Sequence, residues 1–275
     1  MKRLIIMVVS FYISAVVQAE QLTFGIVPQQ SAITLANNWG PILKYLSEQT
    51  GQEVVFRTAK DIPEFERRVV AGEYDIAYMN PYHYTVFHER PGYQAFAKQK
   101  DKKIRGIIVV RKDSSIKDLT ELSGEKLAFP SPAAFAASVI PRAVLEQKSI
   151  PFDPKYVSSH DSVYLNVSKG FFKAGGGIER TLNNTSENVR EQLKVLWRTP
   201  AYTPHAFATH PDMPEEQQKR IAEALLSLND SEQGRELLDR IKFKGVEPAT
   251  NSEWDDVRAL DIKLLNHLLA TNSAQ

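Results

Sequence analysis

Residues 128–142, AFPSPAAFAASVIPR, have the pattern best suited in this chain to bind a ligand, and that ligand would be an anion. This segment predicts the end of a short strand, a turn punctuated by prolines and a helix that opens among small residues. A helix start leaves backbone N–H groups without intrahelical partners and carries the positive end of the helix dipole, so it holds an anion with few charged side chains. Small residues such as Ala134 and Ala136 let a ligand approach the main chain, and the hydroxyls of Ser131 and Ser138 are further donors. We call residues 131–138 the cradle.

Two other residues leave the local structure of the cradle open. Phe135 either forms a wall of the binding site or fills the core. Pro141 lacks an N–H donor and its ring crowds the preceding turn, so the helix either bends there or begins later than the small residues indicate. The pattern also fits an alanine-rich core helix under a proline-rich turn that binds no ligand.

A second candidate, His160, lies in the segment SSHDSVYLNVSKG, residues 158–170. A helix is predicted to start at Asp161, so the imidazole would stand at another helix N-terminus. An imidazole N–H can donate a hydrogen bond to an oxyanion. The alternative is a capping or surface histidine.

The elements before the cradle predict a sheet with one functional edge. Apolar strands at residues 22–27, 53–57 and 74–79 alternate with two helical apolar patterns, one from Trp39 to Leu46 and one from Ile62 to Val69. This order predicts a parallel α/β sheet, whose ligands bind beyond the carboxyl ends of the strands.

Polar residues follow the first and third of these strands. Gln30 and Ser31 come after the first strand, and Asn80, Tyr82 and Tyr84 come after the third. We therefore expect these five side chains on one rim, where amide and hydroxyl groups can donate to an anion. Each also has a structural interpretation: Asn80 as the N-cap of the next helix, the tyrosines as packing under the rim, and the Gln-Ser pair as a turn or cap.

The rest of the chain predicts a second lobe. Extended segments at residues 93–98 and 104–111 are typical of a crossing between lobes, and a second α/β series begins with the strand at residue 126. Residues 200–204, which begin and end with proline, predict a return hinge. The predicted fold class is α/β with two lobes, each a mixed, mainly parallel sheet flanked by helices. Lobe 1 comprises residues 20–111 and 205–275, and lobe 2 comprises residues 112–204. The C-terminal part is predicted to be helical.

The N-terminus has the pattern of a secretory signal peptide. Lys2 and Arg3 precede an apolar run over residues 4–17, and Val17-Gln18-Ala19 is a small-x-small cleavage site. The alternative is an uncleaved membrane anchor, for which a run of about fourteen residues is short. Cleavage after Ala19 predicts a periplasmic chain.

Composition excludes several classes of function. The chain has 34 basic and 33 acidic residues, and loss of Lys2 and Arg3 would leave a formal charge of −1, so no basic excess indicates a nucleic-acid partner. The sequence has no cysteine, which excludes disulfides, thiol nucleophiles and a lipidated cysteine after the signal peptide.

Four segments, in their order and spacing, resemble the periplasmic phosphate/phosphite/phosphonate-binding proteins of ABC importers, a branch of the type 2 periplasmic binding fold. They are GIVPQQS, YDIAYMNPYHY, DLTELSGEKLAFPSP and SSHDSVYLNVSKG. The resemblance implies two lobes, joined by two strands, that close over an oxyanion. It also implies that His160 matches the family's ligand-binding histidine and that the partner is an ABC permease. It implies no cofactor and no chemistry on the ligand, and we expect a monomer.

The chain departs from this family pattern in two places. Such proteins carry a Ser-Thr-Ser-Gly type turn at the cradle, where this chain has Ala133-Ala134-Phe135-Ala136, so two hydroxyl donors are missing and a phenyl ring is added. Members that bind aminophosphonates have an acidic residue after the following helix, where this chain reads KAGG at residues 173–176. Because a buried ammonium without a partner is costly, we do not expect an aminoalkylphosphonate as the ligand.

Two other classes of function are alternatives to the transport protein. A periplasmic sensory module that reports to a membrane histidine kinase would have the same fold. An exported enzyme on a related fold is less well supported, because no serine, histidine and aspartate stand in a nucleophile-elbow context. The pairs His83/His88 and His205/His210 are five residues apart, which does not place both rings on one helical face, so no metal site is predicted.

Overall fold

The computed structural model describes residues 21–270, and this part of the chain forms eleven strands and eleven α-helices. The predicted signal peptide, residues 1–19, lies outside the described residues. Within the described range, no helix is both long enough and apolar enough to span a bilayer.

The strands are β1 (Leu22–Ile26), β2 (Val54–Arg57), β3 (Ile76–Met79), β4 (Gln94–Gln99), β5 (Gly106–Arg111), β6 (Lys126–Phe129), β7 (Asp153–Tyr156), β8 (Ala174–Ile178), β9 (Leu193–Arg198), β10 (Ala206–Thr209) and β11 (Val246–Pro248). The helices are α1 (Ala32–Thr50), α2 (Ile62–Val70), α3 (Pro81–Glu89), α4 (Ile140–Gln147), α5 (His160–Ser168), α6 (Glu179–Asn183), α7 (Glu187–Arg190), α8 (Glu215–Leu226), α9 (Glu232–Arg240), α10 (Asp255–Arg258) and α11 (Asn266–Ala270).

The strands form two mixed sheets, as the sequence predicts. The first has the order β11-β4-β10-β3-β1-β2 and the second has the order β7-β6-β8-β5-β9. Strands β2, β1 and β3 are parallel, whereas β10, β4 and β11 pair antiparallel at the other end of the first sheet. The second sheet combines parallel β7, β6 and β8 with antiparallel β5 and β9.

The chain crosses between the sheets twice, and the two crossing segments touch each other. Residues 100–105 lead from β4 to β5, residues 199–205 lead from β9 to β10, and Ile104 pairs with Tyr202 in an isolated antiparallel bridge. The assignment of residues 106–111 to lobe 1 is therefore wrong, because β5 pairs with β8 and β9 in the second sheet. The run GIIVVR indicates a strand buried on both faces, but this pattern does not identify the sheet to which a strand belongs.

Local capping fixes the helices that carry the predicted rim. Ser31 accepts the Thr34 N–H at 3.2 Å as the N-cap of α1, which ends where Gly51 adopts a left-handed conformation with φ of 67°. Asn80 caps α3 by accepting the His83 N–H at 2.8 Å. Both capping interpretations are thus confirmed.

The first lobe's core continues into the cradle. One cluster of buried side chains runs from Phe24 and Trp39 of the first sheet and its helices to the alanines of residues 133–137 and to Ile178. Two separate clusters lie in lobe 2, one containing Ile107 and the other Ile108. The lobes are therefore in contact across the cleft.

The prediction that the C-terminal part is helical is only partly right. Strand β11 adds to the first sheet, and the segment after it is divided among a 3-10 turn at Asn251–Trp254, α10 and α11. Trp254, Val257 and Leu265 are buried, but Leu264 is exposed. The backbone that carries these buried side chains is therefore not one continuous helix.

Candidate ligand-binding site

The cradle rests directly on the second sheet because two strands present glycine to it. The carbonyl oxygens of Ala136 and Ala137 approach Gly106 of β5 and Gly176 of β8 so closely that a Cβ would lie 1.7 and 1.9 Å from them. Gly177 likewise makes room for the Tyr164 ring, whose hydroxyl would be 2.2 Å from a Cβ. The glycines of β8 therefore allow the cradle and α5 to pack closely on the second sheet.

The backbone of the cradle is a π-helical turn followed by an α-helix. Residues Phe135–Val139 form the π turn, in which the N–H groups of Ser138 and Val139 both donate to the Ala134 carbonyl, at 2.7 and 3.2 Å. The α-helix α4 starts at Ile140, so Pro141 lies in its first turn, where its missing N–H costs little. Of the two alternatives for Pro141, the helix that begins later is correct.

Main-chain and side-chain groups join the lobes across the cleft. The Gln29 carbonyl accepts the His160 N–H at 2.9 Å, and the Ser31 N–H donates to the Asp161 carboxylate at 2.9 Å. The Arg180 guanidinium donates to Gln29 Oε1 at 2.5 Å. These contacts connect the loop after β1 with the start of α5 and with α6.

Two cavities lie between the lobes. The first, which we call the cradle chamber, has a volume of about 10 Å³ and is lined by Asn80, Phe135, Ala136 and His160, among others. That volume accommodates about one water molecule. The second, which we call the hinge chamber, has a volume of about 130 Å³. Ile104, Ile178 and His205 line both and separate them.

The hinge chamber is bounded by both crossing segments and by one end of the second sheet. Its apolar wall includes the Tyr78 ring, Ile104 and Pro204. Four basic side chains also line it, contributed by Lys102, Lys103, Arg105 and Arg180, together with the acidic side chain of Glu179. Glu179 pairs with Arg198 at 2.7 Å, so its charge is compensated outside the chamber.

Arg180 is the half-buried cation of this group. Its guanidinium carbon lies 5.8 Å from the centre of the Tyr78 ring and 5.9 Å from that of Phe243, within the range of a cation–π contact. Its hydrogen-bond partner is the neutral amide of Gln29, and none of the ion pairs formed by residues 21–270 includes Arg180. The guanidinium therefore keeps an uncompensated positive charge at the cleft.

Two buried histidines share this environment. Burial, and secondarily the Arg180 charge, lower the pKa of His160 to about 3, and the same two causes in the same order lower the pKa of His205 well below its ordinary value. His160 Nδ1 lies 2.9 Å from the Thr181 hydroxyl. Both imidazoles are consequently neutral at pH 7.

The contacts of Gln29 fix the tautomer of His205. Because Gln29 Oε1 accepts from Arg180, its Nε2 must be the group that donates to His205 Nε2, at 2.8 Å. The proton of the neutral His205 ring therefore resides on Nδ1. The ring also stacks on Tyr78, with centroids 5.0 Å apart.

A half-buried carboxylate, Asp161, completes the contact between the lobes. Burial raises the pKa of Asp161, while the Ser31 N–H and the neighbouring Gln30 side chain oppose that rise. Gln30 and Ser31 thus lie at the junction of the lobes, but neither lines a chamber.

The structure brings together five of the predicted site residues. Asn80, Ala134, Phe135, Ala136 and His160 all line the cradle chamber. Asn80 Nδ2 also donates to the Ala133 carbonyl of the cradle, at 3.4 Å. Phe135 is buried and meets Tyr202 edge-on, with centroids 5.2 Å apart, so it both lines the chamber and fills space beneath the hinge.

Four of the predicted site residues lie elsewhere. Tyr82 and Tyr84 are wrong as rim donors, because the Tyr82 hydroxyl accepts the Leu265 N–H at 2.9 Å and the Tyr84 hydroxyl donates to Asn251 at 3.0 Å. Their interpretation as packing residues is correct. Ser131 and Ser138 are buried and line neither chamber, and within residues 21–270 their hydroxyls have no hydrogen-bond partner. Their role as ligand donors stays a prediction.

The sequence reasoning missed Gln29, Arg180 and His205. Gln29 lies in the same segment as Gln30, one residue closer to β1. Arg180 directly follows β8, which is parallel to β6, so the rule that ligands bind beyond the carboxyl ends of parallel strands indicates it. Lys102 and Lys103 are exposed in the turn after β4 and also line the hinge chamber.

Comparison with known protein families decides the classification. A model of the family described as "ABC transporter, phosphonate, periplasmic substrate-binding protein" matches residues 24–254. This chain belongs to that family. Its members are substrate-binding proteins of transporters and not enzymes. They are periplasmic, and their partner is an ABC permease.

Individual relatives are distant in sequence and close in structure. The chain is 22% identical to the phosphate-import protein PhnD of Mycolicibacterium smegmatis, over 87% of this chain and 84% of that protein. The binding-protein component of an ABC phosphonate transporter from Pseudomonas aeruginosa superposes with a TM-score of 0.80 at 18% identity, covering 87% of this chain and 85% of that one. PhnD1 from Prochlorococcus marinus, in complex with methylphosphonate, also gives 0.80, at 20% identity over 88% and 97%. These similarities show the type 2 periplasmic binding fold.

Proposed function

We propose that this chain captures a small oxyanion of the phosphonate, phosphite or phosphate class between its lobes and delivers it to an ABC permease. The observation that carries the proposal is the uncompensated Arg180 charge, which lines the hinge chamber between the lobes beside the basic side chains of Lys102, Lys103 and Arg105. A guanidinium without a carboxylate partner suits an oxyanion, to which it can donate two parallel hydrogen bonds.

Ligand binding would act by a shift between open and closed populations. An anion that contacts Arg180 of the second lobe and the Tyr78 side of the first lobe makes both contacts only when the lobes are together, so its binding free energy favours the closed form. The permease then recognises that form. We further propose that the signal peptide is cleaved after Ala19, which releases the chain into the periplasm.

Thermal unfolding of residues 20–275 tests ligand capture. Phosphate, phosphite, methylphosphonate, sulfate and arsenite are compared, and an anion at about a hundred times its dissociation constant should add about 2.7 kcal/mol to the stability. His160→Ala should weaken the binding of the best anion several-fold. Absence of stabilisation by every phosphorus oxyanion would contradict the proposal.

Reconstitution distinguishes transport from sensing. The liganded protein should stimulate ATP hydrolysis by its reconstituted ABC permease, because delivery to a transporter is what drives that activity. A sensory module would bind the same anion without such stimulation and would instead alter the autophosphorylation of a membrane histidine kinase.

A further inference from the structure

We propose that the hinge chamber is the substrate site and that it selects a phosphonate carrying a second anionic group, the phosphonocarboxylate class, over one carrying an ammonium group. The inference rests on the proposed function and names the substrate class for it. It assigns the selectivity to Arg180 and to the basic residues at the rim of the chamber.

Volume is the first reason for this assignment. The cradle chamber, at about 10 Å³, holds about one water and therefore cannot hold the four heavy atoms around a phosphorus centre while the lobes keep their contacts. The hinge chamber is larger by more than tenfold, at about 130 Å³. Phe135 lines the small chamber and not the large one.

Charge is the second reason. Lys102, Lys103 and Arg105 are exposed at the rim, whereas Arg180 is half-buried among Tyr78, Phe243 and Gln29. The chamber therefore has exposed cations at its rim and a half-buried cation, Arg180, and the apolar Tyr78 ring also lines it. A two-headed anion matches this arrangement, because each head meets a cation and its short carbon chain meets the apolar wall.

The charged neighbours of Arg180 in the chamber, Glu179 and Lys103, have ion-pair partners of their own. Glu179, the acidic residue of the chamber, is held by Arg198 at 2.7 Å, and Lys103 lies 3.7 Å from Asp256. Arg180 has no such partner in the part of the chain that the structure describes. An ammonium group in the chamber would meet this cation without a carboxylate to pair with, so its desolvation would not be repaid.

The position of the chamber links occupancy to closure. Both crossing segments line the chamber, through Ile104 and Pro204. The lobes also line it, the first through Tyr78 and the second through Arg180. A ligand there contacts the hinge itself as well as both lobes. The site is therefore assembled only when the lobes are closed.

Calorimetric titration of residues 20–275 with three probes tests the inference. Phosphonoacetate, methylphosphonate and 2-aminoethylphosphonate share the phosphonate head and differ in the tail. We expect phosphonoacetate to bind about tenfold more tightly than methylphosphonate, because its tail makes a charged hydrogen bond, and 2-aminoethylphosphonate to bind most weakly. Arg180→Gln should reduce the preference for phosphonoacetate to near unity, and Arg180→Lys should retain most of it.

Matched variants separate selectivity from folding and closure. Arg220→Gln, at an exposed position on α8 away from the chamber, should change none of the three affinities. The exposed rim double variant Lys102→Gln with Lys103→Gln should weaken phosphonoacetate several-fold and methylphosphonate less, which keeps the test valid if Arg180→Gln does not fold.

Each alternative result has a distinct meaning. Equal loss of all three ligands in Arg180→Gln would show that Arg180 serves closure through Gln29, and the selectivity role would be overturned. Binding of methylphosphonate with no preference for phosphonoacetate would overturn the inference and leave the proposed function standing. Failure of every phosphonate and phosphate to bind would overturn both.

Discussion

The free energy of unfolding should fall by about 2 kcal/mol between pH 7 and pH 5 because the unfolded chain, but not the folded protein, protonates His160 in this range. Burial and the Arg180 charge lower the pKa of this histidine from 6.5 to about 3. The folded state therefore binds the proton less readily than the unfolded state, and the stability due to neutral His160 is present above pH 6.5 and lost as the pH falls from 6.5 toward 3. At pH 5, 1.5 units below 6.5, linkage at about 1.4 kcal/mol per unit gives this magnitude.

Urea unfolding at pH 7 and pH 5 measures this effect. The free energy of unfolding of residues 20–275 should fall more on acidification in the wild type than in His160→Gln, and the two falls should differ by about 2 kcal/mol. The comparison is a double difference, so the contribution of His205, whose pKa is also lowered, is present in both proteins and cancels. Glutamine retains a polar group for the Thr181 hydroxyl.

An exposed histidine provides the control. His267→Gln on α11 should leave the pH dependence as it is in the wild type. The same pH dependence in the wild type and in His160→Gln would refute the reasoning, because it would mean that His160 is not held neutral and buried in solution. Small-angle scattering of the wild type without ligand would then show whether the two lobes are separated.

Three further perturbations test separate features. Gly106→Ala places a Cβ within 1.7 Å of the Ala136 oxygen, so chemical denaturation should show a loss of about 1–3 kcal/mol or more, and an unchanged midpoint would disprove the close seating of the cradle. Asp161→Asn replaces the charged acceptor of the Ser31 N–H, so the radius of gyration without ligand should increase with little change in stability; an unchanged radius would argue against this contact as a closure element. Tyr82→Phe should cost about 1 kcal/mol of stability and leave oxyanion affinity unaltered, whereas a binding defect would return the Tyr82 hydroxyl to the site.

Sequence patterns predicted the fold well because the fold depends on periodic burial and strand order. Alternation of apolar strands with helical stripes indicated both α/β lobes, and the return of the chain at residues 200–204 indicated the hinge. The same patterns could not place β5, because a strand that is apolar on both faces fits either sheet.

The site was predicted less completely because side-chain direction is not contained in the spacing of polar residues. The rule for strand ends identified Asn80, but α3 turns the rings of Tyr82 and Tyr84 toward the C-terminal segment. Arg180 follows β8 and His205 precedes β10, and the two side chains line one chamber only because the lobes lie against each other. Such proximity is a property of the tertiary structure alone.

The glycines beneath the cradle have a mechanical consequence. With the oxygens of Ala136 and Ala137 set against Gly106 and Gly176, these two residues of the cradle have no layer of side chains that could deform beneath them. The cradle therefore moves with the second sheet as a rigid body, and the lobes can close without local refolding of this turn. Native-state hydrogen exchange should accordingly find the cradle amides as slow to open as those of β8, in contrast to the usual mobility of loops that bind ligands.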